Sequence, residues 1–159
     1  MAAKQVVNLL KKQDFEYEIR DCERDFDSTE DAMELLGVPM ERIAKTLVFA
    51  APIGVNVIVL SGDARIDFAK YEKKFRVKKV VLDAEDLLDY TGYVSGAVSP
   101  LALANKRAKV YLDVSLKRFE DSYVYPSAGT LNSAIGITSR DLYKVSGAKE
   151  WVDICEGWQ

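Results

Sequence analysis

A chain of 159 residues, 48% hydrophobic and 30% charged, suits a single folded domain with a core of its own. It has no histidine and only two cysteines, Cys22 and Cys155, far apart, which excludes imidazole bases, His-dependent triads and His- or thiolate-caged zinc. A net charge of −3 speaks against tight non-specific nucleic-acid binding, and no apolar run approaches the roughly 18 residues of a membrane span.

Val6, Val7, Leu9 and Leu10 mark a helical stripe over residues 3–13, with no leader-like apolar start before it. Phe15, Tyr17 and Ile19 alternate with Glu16, Glu18 and Arg20, which predicts a half-buried strand. Ser28 followed by Asp31 reads as a helix cap, with Ala32, Met33, Leu35 and Leu36 as the buried face and Gly37 and Pro39 as the stop. Apolar runs over 45–51 and 55–61 flank Pro52-Ile53-Gly54 as a hairpin. Asp67 caps a helix through Phe75, Val77 to Leu82 reads as a strand, and Asp83 opens a short helix that ends before Gly92. Further strands are predicted at 108–112, 122–126 and 132–138, then a last helix from Ser139 to Val145. Strands come in pairs rather than alternating with helices, so the expected fold is α+β, one domain over 1–159 with a mixed, barrel-like sheet and flanking helices.

Charge is uneven along the chain. Ten carboxylates between Asp14 and Glu34 face only Arg20 and Arg24, whereas Arg65, Lys70, Lys73, Lys74, Arg76, Lys78 and Lys79 oppose only Asp67 and Glu72. Lys106, Arg107 and Lys109 form a second basic group. These runs suit either a phosphate-contacting face or a solvated surface. Unpaired cysteines fit a reducing, cytoplasmic setting, and neither a phosphate loop nor a dinucleotide fingerprint is present, so no cofactor is expected.

Three segments stand out as candidates for chemistry. Thr91 to Pro100 holds Gly92, Gly96 and small residues, a composition that leaves backbone amides and the Ser95 and Ser99 hydroxyls open to a small polar ligand. It also suits a loop that only turns a corner. Lys45 begins the apolar run Thr46-Leu47-Val48-Phe49, placing an ammonium at a strand end, either at a site or snorkelling from a sheet edge. Ser127-Ala128-Gly129 opens a late strand. Without an evident base, Ser95, Ser99 and Ser127 read as hydrogen-bonders and turn formers rather than nucleophiles. Trp151 and Trp158 suit either base stacking or clamping of the tail.

Taken together, Lys45-Thr46-Leu47, the pattern Gly92-Tyr93-x-x-Gly96-x-x-x-Pro100 and the Gly129 turn resemble the YbaK and prolyl-tRNA-synthetase-associated domain family, over nearly the whole chain to Lys149. Members of that family are aminoacyl-tRNA deacylases, acting in trans or as an editing domain within a synthetase. The resemblance implies that Lys45 positions the 3′ end of a mischarged tRNA, tRNA(Pro) or a related one, carrying a small amino acid. It implies that Gly96 contributes to oxyanion stabilisation. Thr46, Tyr93, Ala97, Ser99, Pro100, Ser127, Ala128 and Gly129 would line the substrate pocket. The expected partners are the acceptor end of aminoacyl-tRNA and a synthetase, and the alternative is a non-catalytic module binding either. The chain departs from the cysteinyl-tRNA(Pro) deacylases at two points. It has Ser-Ala-Gly-Thr-Leu-Asn at 127–132, with Ala134 where those enzymes carry an Asp, and Cys22 where they carry a Tyr.

Overall fold

The computed structural model describes residues 1–159. Its centre is an antiparallel hairpin of β2 (Ile43–Ala50) and β3 (Val55–Ser61), in register from Ala44 opposite Ser61 to Ala50 opposite Val55. β3 is buried along its whole length, which explains its unbroken apolar run: both of its faces are covered. Val57 and Val59 point into the main core with Val6, Leu10, Leu112 and Ile135. Ile58 and Leu60 point the other way, against Phe49, Tyr71 and Ile154.

On one side of this hairpin β5 (Ala108–Asp113) runs parallel to β3, and β8 (Trp151–Val152) runs parallel to β5. On the other, β6 (Tyr123–Pro126) pairs in parallel with Ile43 and Ala44, followed by antiparallel β7 (Ser133–Thr138) and β1 (Glu18–Asp21). The seven strands form one mixed sheet in the order β1-β7-β6-β2-β3-β5-β8, and β4 (Arg65–Ile66) pairs separately with β9 (Cys155–Glu156).

Five short helices flank the strands. α1 (Lys4–Lys11) buries Val6 and Leu10 in the main core. α2 (Thr29–Leu36) is capped by Ser28, whose Oγ accepts from the Asp31 amide at 3.0 Å, and stopped by Gly37 at φ 68°. Asp67 caps α3 (Phe68–Phe75), Asp83 caps α4 (Ala84–Thr91) and Thr138 caps α5 (Ser139–Val145), each side chain accepting from first-turn amides. Ala32 and Leu36 of α2 join Ile43 and Ala134 in a third, smaller apolar cluster.

Two sequence expectations are corrected. Residues 77–82 are not a strand: the segment's backbone pairs with the sheet only through the Ala50 amide on the Val80 carbonyl, at 2.8 Å, and a bridge from Val81 to Phe49. Val80 and Val81 stay exposed, so their β-branched shape has no face to pack on. Phe15 to Tyr17 bury apolar rings against the core without a ladder, since β1 begins only at Glu18, opposite Gly136. The short strands β4, β8 and β9 carry too few residues for a periodicity to be read. Trp158 packs on the second cluster beside Phe75 and Val77, with Arg118 4.9 Å over its ring, and so holds the tail to the domain.

Gly129 joins the loops to α1. It sits at φ 92°, and a Cβ there would lie 2.6 Å from Ala3 Cβ and 2.7 Å from Tyr93 Cε1. Gly129→Ala therefore combines backbone strain with overpacking of a closed junction, at about 2 kcal/mol or more. A melting point lowered by roughly 4–8 °C in calorimetry is the expected result.

Candidate active site

The outer edge of β2 is covered at both ends and bare in the middle. β6 pairs only with Ile43 and Ala44, because Pro126 has no N–H with which to extend the ladder. The next neighbour arrives at Phe49 and Ala50, in the form of Val80 and Val81. Between them Lys45 to Val48 has no strand partner, and a cleft of about 300 Å³ opens there. Its floor is the third apolar cluster: Ala32, Leu36, Ile43 and Ala134, with Phe26 and Tyr125 beside them. Asp27, Ser28 and Thr29 at the start of α2 form one wall, Lys45, Thr46 and Leu47 the facing wall, and Gly96, Val98 and Ser127 a third.

Lys45 is half-buried and its Nζ donates to the Ala64 carbonyl at 2.7 Å. Burial pushes its ammonium below the ordinary lysine value, with the carboxylates of Asp63 and Glu30 opposing the shift. It makes no ion pair. The turn that holds it is clamped from below. Arg118 donates to both Asp63 oxygens, at 2.8 and 3.1 Å, and to Ser61 Oγ at 2.9 Å. Burial alone would raise the Asp63 carboxyl, but Arg118 and the Ser61 hydroxyl hold it below its usual value. Asp63 is thus paired with Arg118, which leaves Lys45 without an ion-pair partner. Beside it, Thr46 Oγ1 is shielded from solvent with no hydrogen-bond partner, an unusual state for a buried hydroxyl.

Of the residues singled out in the sequence, Lys45, Thr46, Gly96 and Ser127 line this cleft. Tyr93, Ala97, Ser99, Pro100, Ala128 and Gly129 stand behind its wall. Tyr93 is in the main core, its hydroxyl donates to the Leu101 carbonyl, and burial pushes the phenol up to about 12. Ser99 Oγ accepts from the Leu101 amide, and Ser127 Oγ ties two loops together by donating to Ala97 O and accepting from Gly129 N. Along the loop, Gly96 and Val98 line the cleft while Ala97 and Ser99 do not. Gly96 is exposed at the lip with φ 84°, and a Cβ there would meet only Leu131 Cδ2, at 3.2 Å. Its glycine is required by backbone conformation rather than by crowding.

Asp27 is the one carboxylate in the lining and, with the apolar floor, escaped the reading of the sequence. Ala32 and Leu36 were legible as a buried helix face. That this face meets Ala134 depends on α2 lying across the start of β2, which no local pattern encodes. Cys22 backs the floor, and the thiol of Cys155 is pushed up by burial, which keeps it protonated and inert. No group of three or more carboxylate and thiol side chains is placed to hold a metal, and no helix is long and apolar enough to cross a membrane.

Residues 23–145, which include every element of the cleft, match the family model of the aminoacyl-tRNA editing domain. The chain is 40% identical over 145 residues to the uncharacterized protein YwhH of Bacillus subtilis (strain 168), covering 91% of this chain and 90% of that one. It is 36% identical over 124 residues to EbsC of Enterococcus faecalis, provisionally named a Cys-tRNA(Pro)/Cys-tRNA(Cys) deacylase, covering 77% and 74%. A crystal structure provisionally described as a trans-editing enzyme for prolyl tRNA synthetase superposes with a TM-score of 0.84 at 23% identity, over 97% of this chain and 96% of that one, and so shares the fold. By the extent of the match to its model, this chain belongs to the aminoacyl-tRNA editing domain family.

Proposed function

We propose that this protein hydrolyses the ester of a mischarged aminoacyl-tRNA in trans, on tRNA(Pro) or a related tRNA. The observation that carries the reading is a lysine without an ion-pair partner at the mouth of an apolar-floored cleft. The names of EbsC and of the prolyl-tRNA synthetase fold relative support the choice of tRNA. A synthetase partner is supported by 28% identity to a proline–tRNA ligase of Sulfurihydrogenibium, of which this chain spans 23%.

The two walls have opposite charge, and so do the two ends of an aminoacyl ester. Asp27 receives the free α-ammonium, Lys45 faces the phosphate side of the terminal adenosine, and the amino-acid side chain enters over Ala32, Ile43 and Ala134. The floor carries no charged group and two of its residues are alanines, which favours a small, uncharged side chain. Main-chain amides on the bare edge of β2 donate to the carbonyl oxygen as charge develops there. Water attacks the carbonyl carbon, the bond to the ribose oxygen breaks, and of the water's two protons one goes to that oxygen and the other to solvent. The amino acid leaves as its carboxylate. An ester is already activated, so orientation and modest electrostatic help suffice without a protein nucleophile. Ser127 is engaged on both sides in its loop tie and is not free to serve as one. The non-catalytic alternative draws on Ala134, where related deacylases carry an acid, and the first experiment below decides it.

Lys45→Ala is expected to cut kcat/KM for a mischarged tRNA at least tenfold, about 1.4 kcal/mol of transition-state stabilisation, with an unchanged melting curve. A panel of mischarged tRNAs on which the parent protein releases no amino acid establishes the binding module instead.

The sign of the pH dependence follows from Lys45. The ammonium is charged below its pKa, and burial has lowered that value. Enzymatic deacylation, corrected for the rising spontaneous rate, should fall with increasing pH before an ordinary lysine titrates. Lys45→Arg, which stays charged, should remove that limb from the pH–rate profile.

At the floor, Ala134→Val adds methyl groups to a site only 2% exposed, between Ala32 and Ile43. It should penalise the deacylation of bulkier amino acids more than that of alanine or glycine, read as a shift in relative kcat/KM across the same panel.

A further inference from the structure

From the walls of the cleft we infer the path of the nucleic acid, an inference that rests on the deacylase reading: the 3′ strand of the RNA leaves over β2 and stacks on Phe68 beside Lys79. A strand whose last residue sits in the cleft must cross one of its walls. The α2 wall is closed to it by charge, since Asp27, Glu30 and Glu34 are exposed there and a phosphodiester crossing them meets like charge. The wall of Gly96, Val98 and Ser127 offers a phosphate no cation, which leaves the β2 wall. Leu47, at its lip, is exposed, and Phe49, two residues further on the same face of the strand, is buried beneath the next exposed ring. Phe49 makes an edge-to-face contact with Phe68, with ring centroids 6.0 Å apart. Lys79 holds its ammonium 4.5 Å from the Phe68 centroid, and both side chains are exposed.

An exposed ring with a cation over one face, beside a lysine-marked cleft, suits single-stranded RNA: a base stacks on the ring as the Lys79 ammonium moves from that face to a phosphate. The basic segment divides in support of this. Arg65, Lys70 and Lys74 are paired with Glu156, Asp153 and Glu150 of the C-terminal segment, so their charge is already satisfied. Lys73, Arg76, Lys78 and Lys79 make no ion pair, and of these Lys79 is the one set over the Phe68 ring, next to the Val81 bridge to Phe49. Residues 77–82, a strand by composition, instead carry Lys79 to the edge of the site.

The test is binding of a fluorescent RNA stem–loop that ends in an uncharged, single-stranded CCA, measured by anisotropy over a range of salt. Phe68→Leu keeps apolar contact with Phe49 but removes the π face, and Lys79→Ala removes one cation. Each should weaken binding at least fivefold. Lys79→Ala should also lower the slope of log affinity against log salt by about 0.7, the loss of one phosphate contact on a single strand. Melting and the hydrolysis of aminoacyl-adenosine, which carries no further nucleotide, should stay within twofold of the parent. Unchanged RNA affinity in both variants overturns the inference and assigns the patch to a protein partner. An equal loss on aminoacyl-adenosine also overturns it, by making the effect one of the cleft itself. Because the RNA probe is uncharged, absence of deacylation in the parent would defeat the deacylase reading while leaving the strand path to be decided by binding.

Discussion

The bare middle of the outer edge of β2 is the constraint on which the site depends. A strand at the centre of a seven-stranded sheet would ordinarily have its donors and acceptors taken on both sides. Here β6 supplies a partner only as far as Ala44, and Pro126 ends the ladder there. The chain returns to that edge only at Val80. The gap places Lys45, Thr46 and Leu47 beside open space while β3 fixes their register on the other side, residue for residue. Rigidity comes from the buried hairpin partner and access from the missing one. A site built this way is held by the strongest part of the fold and needs no mobile lid to form.

The second requirement is a cation that stays unpaired. A buried lysine near carboxylates normally forms a pair, and the local inventory includes Asp63. Arg118 removes that competitor. Its planar guanidinium engages both Asp63 oxygens and Ser61 together, a geometry a lysine could not offer. The Lys45 ammonium is left with a carbonyl, which orients it without cancelling its charge. Burial lowers its pKa, and on the proposed reading a phosphate of the ligand completes the partly desolvated charge.

Much of the fold was legible in the sequence, and the reasons divide cleanly. Caps at Ser28, Asp67 and Asp83 announced three helices, since a side chain that satisfies first-turn amides is a local signal. The hairpin at 43–61 was announced by two apolar runs around Gly54. Val77 to Leu82 misled because β propensity reports a side chain's fit to a pleated face, and no such face is offered to Val80 or Val81. At the site, Lys45, Thr46, Gly96 and Ser127 carried recognisable motif positions. Tyr93, Ala128 and Gly129 belong to the same motifs for a different reason, packing a junction between loop and α1 that supports the cleft wall. A motif records both contact and support, and sequence alone does not separate them. The floor was missed because Ala32, Ile43 and Ala134 come from three distant segments whose meeting is a property of the sheet order.

The acidic run of the sequence acquires a meaning in three dimensions that it lacks along the chain. The acidic run around α2 and the lysine of β2 face each other across roughly 300 Å³ of cleft with an uncharged floor. An aminoacyl ester on a nucleotide is itself dipolar, with an ammonium at one end and phosphates at the other. On the proposed reading such a ligand enters in one orientation only, because reversal would set ammonium against Lys45 and phosphate against Asp27. At partly screened contact distances each like-charge pair costs on the order of 1–4 kcal/mol. The same field that orients the ester directs the rest of the strand away from α2. A chain with no histidine can thus obtain orientation and an electrophile's partner from two walls of opposite sign, while net charge stays near neutral because the acidic and basic runs offset each other in the sum.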